Sequence, residues 1–549
     1  MPAPVTPSRV RHRRAAVLAA AVLALVALAL GAVIAVGVSS NDAGERPTAT
    51  APAADGPPRP ADWSPHRPSV HLTPEKNWMN DPQKPFLLDG VWHYYYLYNA
   101  DHPEGNGTAW YHATSTDLVH WKDEGVAIDK YANGLGDIWT GTAVVDEAGT
   151  AGFGAGAVIA LVTQQVDGVQ RQSLFFSRDG GYRFESYDAN PVMDNPGAAD
   201  WRDPRVFWDD AAGHWVMALA EHERIGFYTS PDLRDWTYAS DFATTGLGVL
   251  ECPDLFPMSV DGDPAHVRWV LVAGANGAAE GRTTGTAYWV GDWDGDRFTA
   301  NGAGHQWLDH GPDYYAAVTW ADPRLDRDEQ LASRYSIAWM NNWAYAGRLP
   351  GPQWHGGSDT LVRTVTLRAE GGREALHSTP AAELRELEGA PQRIDDARLD
   401  PERTVDVDVP ASGAYRLRVT ASSDGGELRV KVLTGDGSFA TVGYDFGAGA
   451  MFAARDADAV AREMPAEYRE VRTAPVEPDD GRIQLDIVVD ASSIEVFTQG
   501  GEASLTMATF GTSGRRGLQF EAARSVVALT DASLTPLRVA PIERESEQR

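Results

Sequence analysis

The sequence predicts an all-β protein, a five-bladed β-propeller followed by a C-terminal β-sandwich. From Leu72 onward, short aromatic and β-branched runs alternate with turn signals, and no long helical periodicity is present. Asp89-Gly90 lies between two such runs and is typical of a hairpin turn. We therefore expect short antiparallel strands through most of the chain.

A recurring turn predicts the number of blades. An aspartate, a short turn and an aromatic residue that begins the next strand recur at Asp117, Asp179, Asp232 and Asp294, with spacings of 62, 53 and 62 residues. A β unit that repeats at such intervals is typical of propeller blades. The 305 residues from 71 to 375 accommodate five of them.

A second β region follows the repeats. Apolar residues alternate again after about Thr404, for example at Ile483, Leu485 and Ile487, which predicts a sandwich. We divide this body of the chain into a propeller over residues 69–380, a connector over 381–400, a sandwich over 401–541 and a flexible tail over 542–549.

The N-terminal residues predict export. Four arginines between positions 9 and 14 precede an apolar run over residues 15–38, which is long enough to span a bilayer. Residues 1–38 are therefore a cleavable signal peptide or a membrane anchor, and the basic residues ahead of the run direct the rest outside the cell. Residues 39–68 contain seven prolines and predict a disordered linker. We expect an extracellular protein, secreted or tethered to the membrane.

The composition excludes several function classes. With 77 acidic and 47 basic side chains, the net charge of −30 repels phosphate backbones, so nucleic-acid binding is not expected. The single cysteine, Cys252, excludes an intramolecular disulfide and a cysteine-based metal cluster. No calcium loop of the EF-hand type is present. We expect neither a metal nor a cofactor.

Three acidic residues stand in unusual settings, each at the edge of an apolar run with a proline close behind. They are Asp81 in Asn80-Asp81-Pro82, Asp203 in Arg202-Asp203-Pro204, and Glu251 in Glu251-Cys252-Pro253. First strands of propeller blades line one channel, so the three carboxylates can converge at its mouth. Convergent carboxylates suit acid–base chemistry on a glycoside. Turn caps and a salt bridge are the structural alternatives, and spacing alone does not assign roles.

These motifs resemble those of glycoside hydrolase family 32, the fructan hydrolases and invertases, over residues 71–535. Residues 78–82 resemble the nucleophile motif, 202–204 the transition-state-stabilising motif and 251–253 the acid/base motif. The resemblance implies a five-bladed propeller with an appended sandwich. It also implies that Asp81 is the nucleophile, Asp203 the transition-state stabiliser and Glu251 the acid/base.

The resemblance extends to the sugar pocket. Residues that fall where the family binds fructose are Trp78, Asn80, Trp110, Trp139, Thr140, Arg202 and Trp343. It further implies that Arg202 orients the substrate group, and that a buried Cys252 would influence the pKa of Glu251.

Several departures from the family pattern concern the substrate. Gln83-Lys84-Pro85 replaces the usual Asn-Gly after the nucleophile motif, Leu97 replaces a glutamine, and Tyr111 replaces a glycine. We expect these changes at the pocket rim, with Lys84 and Tyr111 offering a donor and a stacking face. Together with residues 354–359 they resemble levan-acting members of the family. The expected partner is therefore a polysaccharide, β-2,6-linked levan.

Three functions remain open from the sequence. The first is a hydrolase that acts on levan or, alternatively, on inulin or sucrose. The second is a levan fructotransferase that makes a difructose dianhydride. The third is a catalytically silent fructan-binding protein, which the presence of all three acids disfavours.

Overall fold

Antiparallel strands dominate the computed structural model, which describes residues 63–102, 104–302, 304–350, 357–455 and 457–544. Within these residues there are seven sheets and one α-helix, α1 (Arg327–Ala332). The all-β prediction is confirmed. The predicted signal peptide or anchor over residues 1–38, and the linker as far as residue 62, lie outside the described residues. No helix in the described part of the chain is long and apolar enough to cross a membrane.

The first part of the chain forms five successive antiparallel sheets, each built from neighbouring strands in chain order. The strands of sheets 1 to 3 are β1 (Trp78–Leu88), β2 (Val91–Asn99), β3 (Ala109–Ser115), β4 (Lys122–Ile128), β5 (Asp137–Asp146), β6 (Ala157–Val166), β7 (Val169–Ser177), β8 (Glu185–Ser186), β9 (Arg202–Asp209), β10 (His214–Glu221), β11 (Arg224–Ser230) and β12 (Thr237–Ala243). Those of sheets 4 and 5 are β13 (Leu250–Ser259), β14 (Val267–Ala275), β15 (Gly285–Trp293), β16 (Phe298–Ala300), β17 (Gln306–Trp307), β18 (Tyr315–Trp320), β19 (Arg334–Trp339), β20 (Arg363–Glu370) and β21 (Arg373–Pro380).

The recurring aspartate occupies the same place in four of these sheets, the turn between the third and fourth strands. The carboxylate of Asp117 accepts hydrogen bonds from the backbone N–H groups of Val119 and His120, which closes the turn. Asp179, Asp232 and Asp294 accept equivalent bonds from backbone N–H groups two to four residues ahead. Sheet 5 makes this turn with residues 370–373, where both glycines have positive φ. The repeat therefore marks the same turn in four of the five sheets.

The first strands of the five sheets contact one another in sequence. β1 contacts β5, β5 contacts β9, β9 contacts β13 and β13 contacts β18. β18 also contacts β1, so the order returns to its start. Large apolar side chains fill the spaces between neighbouring sheets, for example Trp92 and Trp320 between sheets 1 and 5. This arrangement brings residues from distant parts of the sequence to a shared centre.

The second part of the chain forms two larger sheets around one hydrophobic core. Its strands are β22 (Gln392–Ile394), β23 (Ala397–Leu399), β24 (Val405–Val407), β25 (Tyr415–Ser422), β26 (Glu427–Gly435), β27 (Ser438–Asp445), β28 (Ala450–Ala454), β29 (Arg472–Pro475), β30 (Arg482–Asp490), β31 (Ser493–Thr498), β32 (Ser504–Ala508), β33 (Arg516–Ala523) and β34 (Val527–Pro536). Sheet 6 has the order β22-β34-β25-β30-β31-β32, with β23 also on β34, and sheet 7 has the order β24-β33-β26-β27-β28-β29. Alternate residues of both sheets enter the shared core, as the sequence alternation predicts.

Buried charges join the two parts. Arg363 of β20 pairs with Asp309 and with Glu495 of β31, and all three side chains are inaccessible to solvent. His71 lies between Glu495 and Asp490 of β30, at 3.1 and 2.9 Å. Arg455 pairs with Asp313 at 2.6 Å. Arg363, His71 and Arg455 thus each pair with a carboxylate on the other part of the chain, and these pairs help to fix how the two parts meet.

Both ends of the described chain pack more closely than the sequence suggests. Residues 63–68 were expected to belong to the disordered linker, but Arg67 is buried and donates to the backbone oxygens of Pro74 and Glu75. Glu543, expected in the flexible tail, exchanges backbone hydrogen bonds with Trp121 and Asp123. Composition did not reveal these contacts because they depend on partners distant in sequence.

Candidate active site

The three predicted acids meet in one cavity of about 380 Å³. Asp81, Asp203 and Glu251 lie near the starts of β1, β9 and β13, the first strands of sheets 1, 3 and 4. The other lining residues are Asn80, Leu97, Gly105, Asn106, Trp139, Thr140, Gln170, Asp200, Arg202 and Trp343. Acids separated by up to 170 residues of sequence are therefore neighbours in space.

A break in the strand register turns each acid toward the cavity. The pairing of β1 with β2 shifts between Asn80 and Pro82, and the pairing of β13 with β14 shifts between Glu251 and Asp254. β5, β9 and β18 carry corresponding irregularities near their starts. Proline donates no backbone hydrogen bond, so a proline behind each acid favours such a bulge. β5 and β18 bulge at the matching place without a proline, so the prolines suit this local geometry but do not alone determine it.

Cys252 joins two of the acids. Its Sγ lies 3.6 Å from Asp81 Oδ2 and 3.6 Å from Asp203 Oδ2, and its N–H donates to Asp203 Oδ2 at 3.0 Å. Burial and the neighbouring carboxylates raise the pKa of the Cys252 thiol, so the sulfur keeps its proton and acts as a donor. Cys252 was expected to act on Glu251 if it were buried against it, whereas its hydrogen bonds are with the two aspartates.

Burial and mutual repulsion control the charges of the acids. Burial, followed by the charge of Glu251, raises the pKa of Asp81, while hydrogen bonds from Thr140 at 2.5 Å and Asn80 at 3.2 Å oppose that rise. Burial raises the pKa of Asp203 to about 7; Arg202 opposes this and the other two acids add to it. Three carboxylates in one buried space cannot all ionise readily, so the site retains a proton near neutral pH.

Arg202 and Tyr315 hold the carboxylate of Glu251. Arg202 donates from Nε and Nη2 to Oε1, both at 3.1 Å, and Tyr315 donates to Oε2 at 2.5 Å. Arg202 also donates to Asp200 at 2.6 Å, and Asp200 pairs with His222 at 2.8 Å. Although burial lowers the pKa of Arg202, the three surrounding carboxylates raise it, so the guanidinium stays charged.

Tryptophans form one wall of the site. Trp343 is 44% exposed at the cavity and stacks on Trp78, with ring centroids 5.9 Å apart. Trp78 is itself buried and donates from Nε1 to Asn80 Oδ1 at 2.9 Å. Trp110 is fully buried and donates to the backbone oxygen of Trp139 at 3.0 Å. Of the predicted sugar-binding residues, Trp78 and Trp110 therefore lie behind the lining and support Asn80 and Trp139.

The departures from the family pattern lie mostly away from the rim, contrary to expectation. Leu97 does line the cavity. Gln83 is fully buried and connects β1 to β5, accepting from the N–H of Gly141 at 2.8 Å and donating to the oxygen of Asp81 at 2.9 Å. Lys84 faces Arg205, Asp254 and Arg334 rather than the cavity.

Tyr111 also lies elsewhere, packed edge-on against Tyr98 at 4.1 Å. Trp354 and His355 lie outside the described residues. Asp359 is fully buried, and Tyr94 donates to it. The donor and stacking roles expected for Lys84 and Tyr111 at the rim are therefore wrong, since neither residue reaches the cavity.

Several residues that line or support the site were not predicted from the sequence. Asp200 stands two residues before Arg202, and this proximity could have identified it as part of the site. Gln170 and Asn106 lie in no recognisable motif, so the sequence offered no way to find them. Tyr315 lies in a stretch whose role could not be assigned without its contact to Glu251. Within the described residues, no group of three or more histidine, cysteine or carboxylate side chains is arranged to hold a metal ion.

Comparison with known proteins gives a consistent result over both parts of the chain. Residues 71–380 match the glycosyl hydrolases family 32 N-terminal domain, and residues 383–536 match the family 32 C-terminal domain. The chain is 40% identical over 460 residues to the levanbiose-producing levanase of Bacillus subtilis (strain 168), covering 81% of this chain and 86% of the relative. It is 31% identical over 503 residues to the extracellular exo-inulinase of Meyerozyma guilliermondii, covering 86% and 96%.

Among solved structures, the exo-inulinase of Aspergillus awamori superposes with a TM-score of 0.77 at 27% identity. The match covers 87% of this chain and 99% of that one.

Proposed function

Because the chain belongs to glycosyl hydrolase family 32, we propose that it hydrolyses β-2,6-linked levan with retention of anomeric configuration. The observation that carries this proposal is the meeting of Asp81, Asp203 and Glu251 in one cavity. The 40% identity to a levanbiose-producing levanase supports levan as the substrate and a disaccharide as the product. The enzyme is a glycoside hydrolase that acts on fructans.

Asp81 is the nucleophile in this proposal. Hydrogen bonds from Thr140 and Asn80 favour its ionised form against the effect of burial. Its carboxylate attacks the anomeric carbon of a fructosyl unit, and the bond from that carbon to the leaving oxygen breaks. A covalent fructosyl ester forms on the face opposite the leaving group.

Glu251 is the general acid and then the general base. It gives its proton to the leaving oxygen, and the resulting carboxylate is stabilised by Arg202 and Tyr315. Ester formation at the same time removes the negative charge of Asp81 from the site. Glu251 then takes a proton from water, which attacks the anomeric carbon and releases the product with retained configuration.

Asp203 stabilises the positive charge that develops on the sugar between these states. It lies close to the nucleophile, with Cys252 Sγ contacting both carboxylates. A negative group fixed beside a cation-like transition state stabilises it more than it stabilises the neutral substrate. Its fixed position comes from the Cys252 N–H and from a backbone bond to Thr163 at 2.9 Å.

We further propose the architecture that such a site needs, a five-bladed propeller over residues 69–380 and a sandwich over 401–541, joined by 381–400. The return of strand contacts from β18 to β1 supports a closed ring of five sheets. The shared core of sheets 6 and 7 supports the sandwich. Export through residues 1–38 places the enzyme outside the cell, where a polymeric substrate is accessible.

The test is kcat/KM on levan, inulin and sucrose, with product analysis by chromatography and NMR. We expect the highest value on levan, levanbiose as the main product, and a first product of retained configuration. Asp81→Asn should be inactive, whereas Asp294→Asn, in a turn away from the cavity, should keep wild-type activity. A higher value on inulin or sucrose would refute the linkage, and a difructose dianhydride product would assign a transferase instead.

A further inference from the structure

The segment ahead of β18 is held by the second part of the chain. β18 begins at Tyr315, whose hydroxyl donates to Glu251 in the cavity. Two residues earlier, the N–H of Asp313 donates to the backbone oxygen of Thr506 at 3.2 Å, on β32 at the edge of sheet 6. A Cβ added to Gly311 would lie 2.1 Å from the same oxygen, so the two backbones are in direct contact. The strand that presents Tyr315 to Glu251 therefore starts from a contact between the two parts of the chain.

Arg455, directly after β28 of sheet 7, fastens the same contact with its side chain. The guanidinium is buried and donates to Asp313 Oδ2 at 2.6 Å and to the hydroxyl of Tyr345. It also donates to the backbone oxygens of Tyr468, at 2.6 Å, and of Ala508. Tyr345 in turn donates to Asp313 Oδ1 at 2.5 Å. One arginine of the second part of the chain thus holds two side chains of the first part in a single network.

Tyr345 closes the turn that carries Trp343, the exposed tryptophan of the cavity wall. Its N–H donates to the backbone oxygen of Asn342 at 3.0 Å, so the turn brackets Trp343 on both sides. The Asn342 side chain donates from Nδ2 to the oxygen of Pro312 at 2.8 Å, which ties the turn to the segment ahead of β18. Trp343 packs on Trp339 with ring centroids 4.8 Å apart. The place of this wall in the cavity therefore depends on the anchors at both ends of the turn.

We propose that Arg455 is a positioning residue for hydrolysis, which fixes both the phenol beside the acid/base and the tryptophan wall of the cavity. This inference rests on the proposed function, since hydrolysis is the reaction that it serves. Asp313 stands two residues before Tyr315, and Tyr345 stands two residues after Trp343, so a shift of either anchor reaches a cavity residue directly. The planar fork of arginine holds several acceptors in fixed directions, whereas lysine supplies the charge without that geometry.

Arg416 provides a matched comparison within the second part of the chain. It is buried, as Arg455 is, and pairs with Glu388 at 2.7 Å and with Asp486 at 2.5 Å. These three residues neither line the cavity nor stand beside a lining residue in the sequence. Replacing either arginine by lysine should weaken the fold, because a buried ion pair loses its geometry. Only the replacement of Arg455 should also change the catalytic parameters of the folded enzyme.

The experiment is a double-mutant cycle in the full-length enzyme between Arg455→Lys and Tyr315→Phe, with kcat/KM and its pH profile as readouts. Each single variant should lower kcat/KM about tenfold, and the double variant less than about 30-fold rather than 100-fold, because both act through one contact with Glu251. Arg455→Lys should shift the pH–rate profile in the same direction as Tyr315→Phe. Arg416→Lys should leave the profile unchanged, and its small effect should multiply with that of Tyr315→Phe.

Tyr345→Phe is a second variant that does not depend on the folding of Arg455→Lys. It keeps the ring that packs on Tyr468 at 5.1 Å and removes only the hydroxyl. We expect KM to rise about threefold at unchanged kcat, because Trp343 contacts substrate and transition state alike. Independent effects of Arg455→Lys and Tyr315→Phe in the cycle, or a wild-type KM in Tyr345→Phe, would overturn the proposal. All variants are assayed on whichever fructan the wild type cleaves best, so a wrong levan assignment and a wrong role for Arg455 give different results.

Discussion

Replacing Asp203 by asparagine should stabilise the protein at pH 8 while abolishing its activity. Asp203 has a φ of 64°, in the left-handed region that asparagine tolerates about as well as aspartate. The asparagine oxygen can still accept the hydrogen bond that Cys252 donates to Asp203 at 3.0 Å. The substitution therefore changes the charge at this position while preserving the backbone and the main contact.

The magnitude follows from the raised pKa of Asp203. Burial moves this pKa from 3.8 in the unfolded chain to about 7 in the folded protein. A group whose pKa is higher in the folded protein than in the unfolded chain contributes stability in its protonated form. That stability is fully present below the pKa of the unfolded chain and is lost as the pH rises through the pKa of the folded protein. At pH 8 the ionised carboxylate lowers the free energy of unfolding by roughly 4 kcal/mol relative to a neutral group at this position. This follows because one pKa unit corresponds to 1.36 kcal/mol. At pH 5 the cost falls below about 2 kcal/mol.

Urea unfolding of wild type and Asp203→Asn at pH 8 and pH 5 measures this difference directly. Asp254→Asn is the matched control, because it is another buried aspartate but with the opposite shift. Burial raises the pKa of Asp254, yet Arg205, Arg334 and Lys84 together lower it below its ordinary value. Asp254→Asn breaks a buried ion pair and should destabilise the protein by about 3 to 5 kcal/mol at pH 8.

A loss of stability in Asp203→Asn at pH 8 would refute the reasoning. So would a stabilisation that increases as the pH falls, because the sign of the linkage would then be reversed.

Three further predictions concern catalysis and the connection between the two parts of the chain. Asp81→Asn and Glu251→Gln should each lower kcat at least 1,000-fold (about 4 kcal/mol of barrier) while the protein stays folded, and a variant that keeps a tenth of the wild-type rate would exclude the assigned role. Asp200→Asn weakens the hydrogen bond that holds Arg202 beside Glu251, so kcat should fall about tenfold and the pH–rate profile should shift. An unchanged pH–rate profile would show that Asp200 does not position Arg202. Burial lowers the pKa of His71, but Asp490 and Glu495 raise it to about 9, so the charged imidazole stabilises the fold below that pH. In urea unfolding, His71→Gln should therefore lower the free energy of unfolding by about 3 kcal/mol at pH 6 and by little at pH 10.

The sequence predicted those features that local chemistry controls. The recurring aspartates specify a turn through hydrogen bonds that span two to four residues, so their spacing reflected the sheet repeat correctly. The three acids were expected to meet because first strands of propeller blades line one channel, and they do meet. The turns, by contrast, are determined by contacts within a few positions of each aspartate.

Features that depend on distant partners could not be predicted in this way. Lys84 was expected at the rim, but its direction is determined by strand register across three sheets, and it faces Arg205 and Arg334 instead. Trp110 matched a sugar-pocket position, yet it supports Trp139 from behind. No local pattern distinguishes a side chain that lines a cavity from one that lies beneath the lining.

The buried contacts of residues 69–71 cannot form until the chain has been synthesised as far as residue 490. The backbone N–H groups of Ser69 and Val70 donate to Asp490, at 2.6 and 2.8 Å, across 421 and 420 residues of sequence. At a synthesis rate of roughly 5 to 20 residues per second, residue 490 is made about 20 to 80 s after residue 70. Until then His71 lacks both of its carboxylate partners. An incomplete chain therefore leaves the segment before β1 undocked, and activity should appear only after residue 495 has been made.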